Sequence, residues 1–597
     1  MAMTDDDLIR YRVDAEDAAQ NCFNVEMSFR TGSGDVELCM PVWTPGAYSV
    51  VDYAGNVVDI SASGRGGKRK AIRKRDKSTW VVKGDGGEVT VKYRVFAHSA
   101  NVHECFVDSE RMTINGAGAF LYIRGREGVP AEVEIVPRDG WKNISTGLPE
   151  AGKMKFRADN YDILIDSPIE VGNHEIHRFE VSGKEHEVAL YGRGNIEREK
   201  FLGDLRKIVY SEISIMKDVP YSRYVFIYQM IPKGGGGLEH LNSTHCISDP
   251  FLFSSRENYL SVLELFSHEF FHLWNVKRLR PTALGPFDYS KENYTRLLWV
   301  SEGFTSYFEL TAIRKARIST PPEFMRALCR EMEVYLNTPG RNHQSAEESS
   351  FDTWIKFYRR NENTINSGIS YYNKGTLIGM LLDLLIISRT GGKKRLDDVM
   401  RLLYRSTYSK GRGFTEEDFR EACRSVSGTD ISDFYSRCVS GRGDLPFGKY
   451  FALAGLTLER EKGEEAGCFH MLMSQRNKSV IASVMEGGAA SEAGLFPGDE
   501  IIAVNGIRAA GEELKARIAE LKPGMTAEVL VAREGAIRNI SVKAGSSPSK
   551  MFIRQKAKAT AGQKAAYETW AYAKWKDGID YDGVKDPSRY TERMQIV

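Results

Sequence analysis

What this chain lacks narrows its function before any motif is read. It has no closely spaced cysteine pair: Cys22, Cys39, Cys105, Cys246, Cys329, Cys423, Cys438 and Cys468 stand far apart. That spacing argues for free, buried thiols rather than a disulfide framework. The chain opens on acid, MAMTDDDLIR, without the basic and apolar regions of a secretory leader. The apolar stretch 378–387 is broken by Asp383 and is too short to cross a bilayer. No charge of one sign dominates, with 82 Lys and Arg against 80 Asp and Glu. The balance gives no global argument for nucleic acid or a membrane surface as partner. No period repeats, and 597 residues are too many for one hydrophobic core, so about three or four domains are expected. These absences together predict a reducing, cytoplasmic setting.

What is present changes character along the chain. VEMSF (25–29), VTVKYRV (89–95) and AEVEIV (131–136) alternate apolar and polar residues, as half-buried strands do. Turn clusters at 32–34 and 61–67 separate such runs, and an antiparallel β-sandwich is expected over 1–170. Residues 171–455 are mostly helical, with apolar segments at 258–276, 295–316 and 372–389. A strand-like run, RYVFIYQM (223–230), comes just before a glycine cluster. Over 456–545 strands return around one helix, with a hairpin signal at Asn505-Gly506. The tail, 546–597, is basic and then helical, carrying Tyr567, Trp570, Tyr572 and Trp575 as an arm expected to pack on the body. The fold class is multidomain α+β.

HEFFH (268–272) lies inside the first of the helical segments. Positions i and i+4 share a helix face, so His268 and His272 can reach one ion. Zinc takes imidazole nitrogen and carboxylate oxygen, and a catalytic site keeps one position for water. Glu269 stands where its carboxylate meets that water and removes its proton as it attacks a carbonyl. The pentapeptide also arises by chance, so context matters. The helix is strongly apolar, both histidines are expected to be buried, and buried polar groups need partners. A third ligand is at hand in Glu302, within LLWVSEGFTSYFE (297–309), where an unpartnered carboxylate is costly to bury. A surface acid at a helix start is the alternative. Glu309 is a candidate partner for a ligating histidine, or an exposed acid.

At this point the residues resemble a known family. HEFFH, followed by LWNVKRLRP (273–281), FDY (287–289), ENYT (292–295) and LLWVSEGFTSYFE, is similar to the glycyl aminopeptidases that carry a PDZ domain. These are gluzincin metallopeptidases, alongside the larger aminopeptidase N group. The likeness extends to MPVWTPGAY (40–48), GGGGLEH (234–240), YYNKG (371–375) and AASEAGLFPGDEIIAVNG (489–506). It implies an N-terminal β domain, a thermolysin-like catalytic domain over 171–455 and a PDZ-like domain over 456–545. It also implies one zinc ion per chain, held by His268, His272 and Glu302, with Glu269 as general base. The implied reaction removes N-terminal residues from peptides, favouring small ones such as Gly or Ala.

An aminopeptidase has to recognise a free ammonium group, and a carboxylate does so through charge-assisted hydrogen bonds. Glu239 in GGGGLEH is the candidate. Gly236 and Gly237 let backbone approach a bound peptide, and the strand before the glycines could pair with the substrate main chain. The related motif of the aminopeptidase N group ends in Glu-Asn. Here it ends in Glu239-His240, which leaves His240 without a role. Tyr372 in YYNKG resembles the tyrosine that donates to the oxyanion in related enzymes. Tyr371 beside it is the alternative.

The PDZ-like segment departs from its family where a Gly-Leu-Gly-Phe type of carboxylate-binding loop would stand, reading AGCFHM (466–471). That argues against capture of peptide tails and for a structural or substrate-gating role. Three functions are kept apart. The first is an aminopeptidase acting on peptides with a free N-terminus. The second is a zinc endopeptidase, against which an amine anchor such as Glu239 speaks. The third is a PDZ-based protein-binding scaffold with a vestigial site, against which an intact Glu269 speaks.

Overall fold

The computed structural model describes residues 8–576, without the side chains of 462–465. The acidic opening before residue 8 and the end of the expected tail from 577 lie outside the described residues. The chain divides into two compact units, one of residues 1–294 with 404–414, the other of 295–403 with 415–597.

The first unit begins with strands. Eight form one sheet, in the order Glu150–Gly152, Lys155–Ala158, Ala131–Val136, Ile9–Asp14, Cys22–Arg30, Glu88–Phe96, Val57–Gly64, Arg69–Lys70. Their neighbours run antiparallel except Ile9–Asp14 and Ala131–Val136, which run parallel. The expected all-antiparallel pairing is therefore corrected at one joint. A parallel pair needs a long connection, and here more than a hundred residues of the same domain supply it. A four-stranded sheet, centred on Ser33–Cys39 and Thr79–Asp85, shares its core with the first. Val25 and Met27 from one sheet and Leu38 and Val82 from the other are all at most 1% exposed.

The same unit continues into a five-stranded sheet: Glu175–Val181, Lys184–Tyr191, Arg223–Met230, Ser243–Ser248, Gly236–Glu239. Arg223–Met230 is its middle strand, parallel to a neighbour on each side. Both of its edges are taken, so it cannot pair with a peptide as expected. One edge of the sheet is Glu175–Val181 and the other is Gly236–Glu239, antiparallel to Ser243–Ser248.

The second unit is built on the helix Tyr371–Arg389. Leu377, Ile378, Met380, Leu381 and Leu382 are all fully buried, so its apolar character reflects a core position. Asp383, which interrupts that run, accepts from Tyr307 Oη at 2.7 Å, Arg395 Nη2 at 2.8 Å and Leu396 N at 2.7 Å. The expected helix 295–316 is two helices, Leu298–Ser301 and Gly303–Lys315, meeting at Glu302. Farther on, Phe469, Ile481, Ile501, Leu514 and Val529 form a separate small core. The expected tail is corrected in its basic first part. Gly545–Gln555 is a strand, paired antiparallel with Leu456–Cys468, and only then comes the helix Ala561–Ala571. Trp570 of that helix is fully buried and donates to Tyr307 Oη at 3.0 Å. All eight cysteines are free and buried. Among the described residues no helix is long and apolar enough to cross a membrane.

Candidate active site

The helix Arg256–Phe271 is capped by Ser255, whose hydroxyl accepts from Asn258 N at 3.2 Å. Two phenylalanines set its rotation. The rings of Phe266 and Phe270 meet those of Tyr228 and Tyr224 edge-on, each with centroids 4.9 Å apart. A helix turns about 100° per residue, so His268 and His272 face away from that aromatic contact. Their rings lie 4.6 Å apart. His272 is 1% exposed, while His268 is only partly buried, so the expectation of two buried imidazoles is corrected for His268.

His272 Nδ1 lies 2.7 Å from the Asn275 carbonyl oxygen. A carbonyl only accepts, so the ring proton sits on Nδ1 and the Nε2 lone pair remains for a metal. The turn that makes this bond places Val276 at φ 127°, where a β-branched residue is strained.

Glu239, Glu269 and His272 present ligand atoms that all lie within 4.8 Å of one another. They are 4%, 5% and 1% exposed. Two buried carboxylates this close repel each other, and a cation relieves that repulsion. Gly237 makes the arrangement sterically feasible, because a Cβ there would run into the Glu269 carboxylate. Gly236 acts differently: its φ of 114° favours glycine, and a Cβ there would meet nothing. Gly46 of the WTPGAY segment lies against the amine-anchor candidate. A Cβ on Gly46 would come within 2.8 Å of both Glu239 oxygens. Burial, and then the charge of Glu269, hold the Cys246 thiol well above its ordinary value, so it is no nucleophile.

A second network braces the same strand. Asp166 accepts from Lys277 Nζ at 2.6 Å and Leu241 N at 2.9 Å, and lies 3.2 Å from His240 Nδ1. Burial raises the Asp166 carboxyl, but Lys277 and His240 outweigh it, so the group sits below its usual range. His240, without a role in the sequence, ties the end of the glycine strand to this carboxylate.

In the second unit, Glu302 is 2% exposed. Its backbone N–H donates to the Leu298 carbonyl at 2.7 Å and its carbonyl accepts from Ser306 N at 2.8 Å. Gly303 and Gly375 let the two helices touch backbone to backbone, since a Cβ on Gly375 would come within 2.7 Å of Gly303 Cα. Tyr371 is fully buried and its hydroxyl accepts from Thr353 Oγ1 at 3.1 Å. Tyr372 is partly exposed, and burial, then the charge of Glu302, push its phenol well above the ordinary value. Lys374 donates to the Gly441 carbonyl at 2.8 Å, and burial pushes it down to about 8.

The first unit thus gathers His268, His272, Glu269, Glu239 and Gly237, and the second holds Glu302 near Tyr372. The sequence reading assigns no role to Gly46, Asn275 or Asp166. The available signals for the first two are WTPGAY and LWNV, motifs whose contacts are tertiary.

Three family models match this chain: the peptidase M61 N-terminal domain over residues 10–173, the M61 glycyl aminopeptidase over 261–378, and a PDZ domain over 455–544. Among solved structures, the aminopeptidase N family protein from Idiomarina loihiensis is similar with a TM-score of 0.88 and 28% identity, covering 94% of this chain and 100% of that one. The M1 zinc metallopeptidase from Deinococcus radiodurans has a TM-score of 0.47 and 11% identity, over 74% of this chain and 95% of that one, too distant to carry an argument. No curated protein matches.

Proposed function

Because this chain belongs to the M61 glycyl aminopeptidase family of metallopeptidases, we propose that it is a zinc-dependent aminopeptidase that removes small first residues, such as glycine or alanine, from peptides. His268, His272 and Glu302 are the ligands. Two imidazoles and one carboxylate are a donor set that suits zinc. The proton on His272 Nδ1 leaves the ligating tautomer in place before any ion arrives. When bound, zinc supplies a Lewis acid that acidifies a water and polarises the scissile carbonyl.

The chain's own groups do the rest. Glu269 takes the proton from the attacking water and returns it to the leaving amine. Tyr372 keeps its own proton and donates it as a hydrogen bond to the oxyanion. Glu239 accepts hydrogen bonds from the substrate ammonium, and the edge strand Gly236–Glu239 runs along the peptide main chain. The catalytic domain is 171–455, preceded by the β domain 1–170 and followed by a PDZ-like domain at 456–545 and the tail from 546.

The observation that carries this reading is the convergence of Glu239, Glu269 and His272 within 4.8 Å. Amine anchor, base and ligand share one spot, so cleavage falls next to a free N-terminus. That geometry has no use in an endopeptidase. Glu269→Gln tests it. The variant should bind as much metal as the wild type and lose about 10²–10⁴-fold in kcat. Wild-type turnover in the variant overturns the base, and a metal-free wild type overturns the ligands.

A further inference from the structure

We propose that Tyr358 is a positioning residue for Tyr372, its hydroxyl donating to the Tyr372 oxygen and holding that phenol ready to serve the oxyanion. The inference rests on the role given to Tyr372 above.

The two hydroxyl oxygens are 3.2 Å apart. Tyr358 is 40% exposed, so water could satisfy its hydroxyl at no cost in side-chain freedom. Instead the side chain is held on an aromatic platform. The Phe357 ring stacks on Tyr372 at 5.5 Å and 27°, lies 5.1 Å from Tyr371, and meets Tyr358 edge-on at 5.1 Å. The Arg360 guanidinium lies over the same ring, 4.9 Å from its centroid. The preceding Trp354 is buried, and Thr353 donates to the Tyr371 hydroxyl, so the platform is anchored to the helix that carries Tyr372.

Proton counting gives the bond its direction. A phenol has one hydrogen. Tyr372 spends its hydrogen on the oxyanion, so the bond between the two tyrosines must use that of Tyr358. A hydroxyl that accepts a hydrogen bond donates more strongly in turn. A phenol fixed by an accepted bond also has less reorientation to undergo when charge develops. Tyr358 itself touches no reacting atom.

Tyr358→Phe keeps the ring and removes the bond. We expect kcat to fall about tenfold, the size of one lost hydrogen bond, with KM and the thermal midpoint unchanged. In a Tyr372→Phe background the same change should do nothing further. Wild-type kcat in Tyr358→Phe beside an impaired Tyr372→Phe overturns this inference alone. A drop that persists undiminished in the Tyr372→Phe background overturns it too, since the two hydroxyls would then act independently. An unimpaired Tyr372→Phe removes the role of Tyr372, and this inference with it.

Discussion

The Glu269 carboxylate keeps its place only if the neighbouring strand carries no side chain at the point of closest approach, and that point is Gly237. The proposed base is therefore placed as much by a missing Cβ as by its own helix. Gly237→Ala should displace the Glu269 carboxylate or the strand and lower kcat on the order of 100-fold, with metal content unchanged. A kinetic assay beside metal analysis checks this, and an alanine variant with full turnover would show that the site yields freely. The histidine pair and Glu269 were legible because their relation is local, set by one helical turn. The clearance at Gly237, the carbonyl of Asn275 and the contact of Gly46 with Glu239 were not, because each exists only once distant segments meet. A run of four glycines announces backbone approach without saying which glycine does what.

At the scale of elements, the sequence pattern found the strands, RYVFIYQM among them, and missed one helix junction. RYVFIYQM scarcely alternates, and the structure explains this by placing it mid-sheet, apolar on both faces. The same feature rules it out as the peptide-pairing strand. The segment 295–316 reads as one helix because nothing in its periodicity marks the junction at Glu302. The helix Tyr371–Arg389 shows why YYNKG is more than a tyrosine motif. Gly375 permits the close crossing with Gly303, and Lys374 reaches inward to the Gly441 carbonyl. Burial lowers Lys374 to about 8 from its ordinary value of 10.5. Between those two values the unfolded chain holds a proton that the folded chain does not, so stability rises with pH through that window and is flat below it. Lys374→Met should abolish that rise. Urea midpoints at pH 7.5 and 9.5 check the sign, and an unchanged pH slope in the variant would contradict a neutral buried amine.

For the whole molecule, the family matches and the fold agree on a β-rich start, a helical catalytic region and a PDZ-like module. The resemblance supplied the PDZ-like identity, and the order of strands, helices and strands again was readable from the residue pattern along the chain. The end was not. Met551 and Ile553 turn inward between outward residues in Gly545–Gln555, but Lys550 and Arg554 gave that stretch the look of a basic tail. Trp570 then locks onto Tyr307, so the tail helix belongs to the core of the second unit. All these parts serve one chemical claim, that a free amine is held by Glu239 beside the base Glu269. The most direct measurement compares hydrolysis of a glycyl anilide with that of its N-acetylated form by the full-length, metal-loaded protein. The account predicts cleavage of the free amine and a loss on the order of 100-fold or more on acetylation, the worth of charge-assisted hydrogen bonds to a buried carboxylate. Equal rates for the two substrates would contradict it.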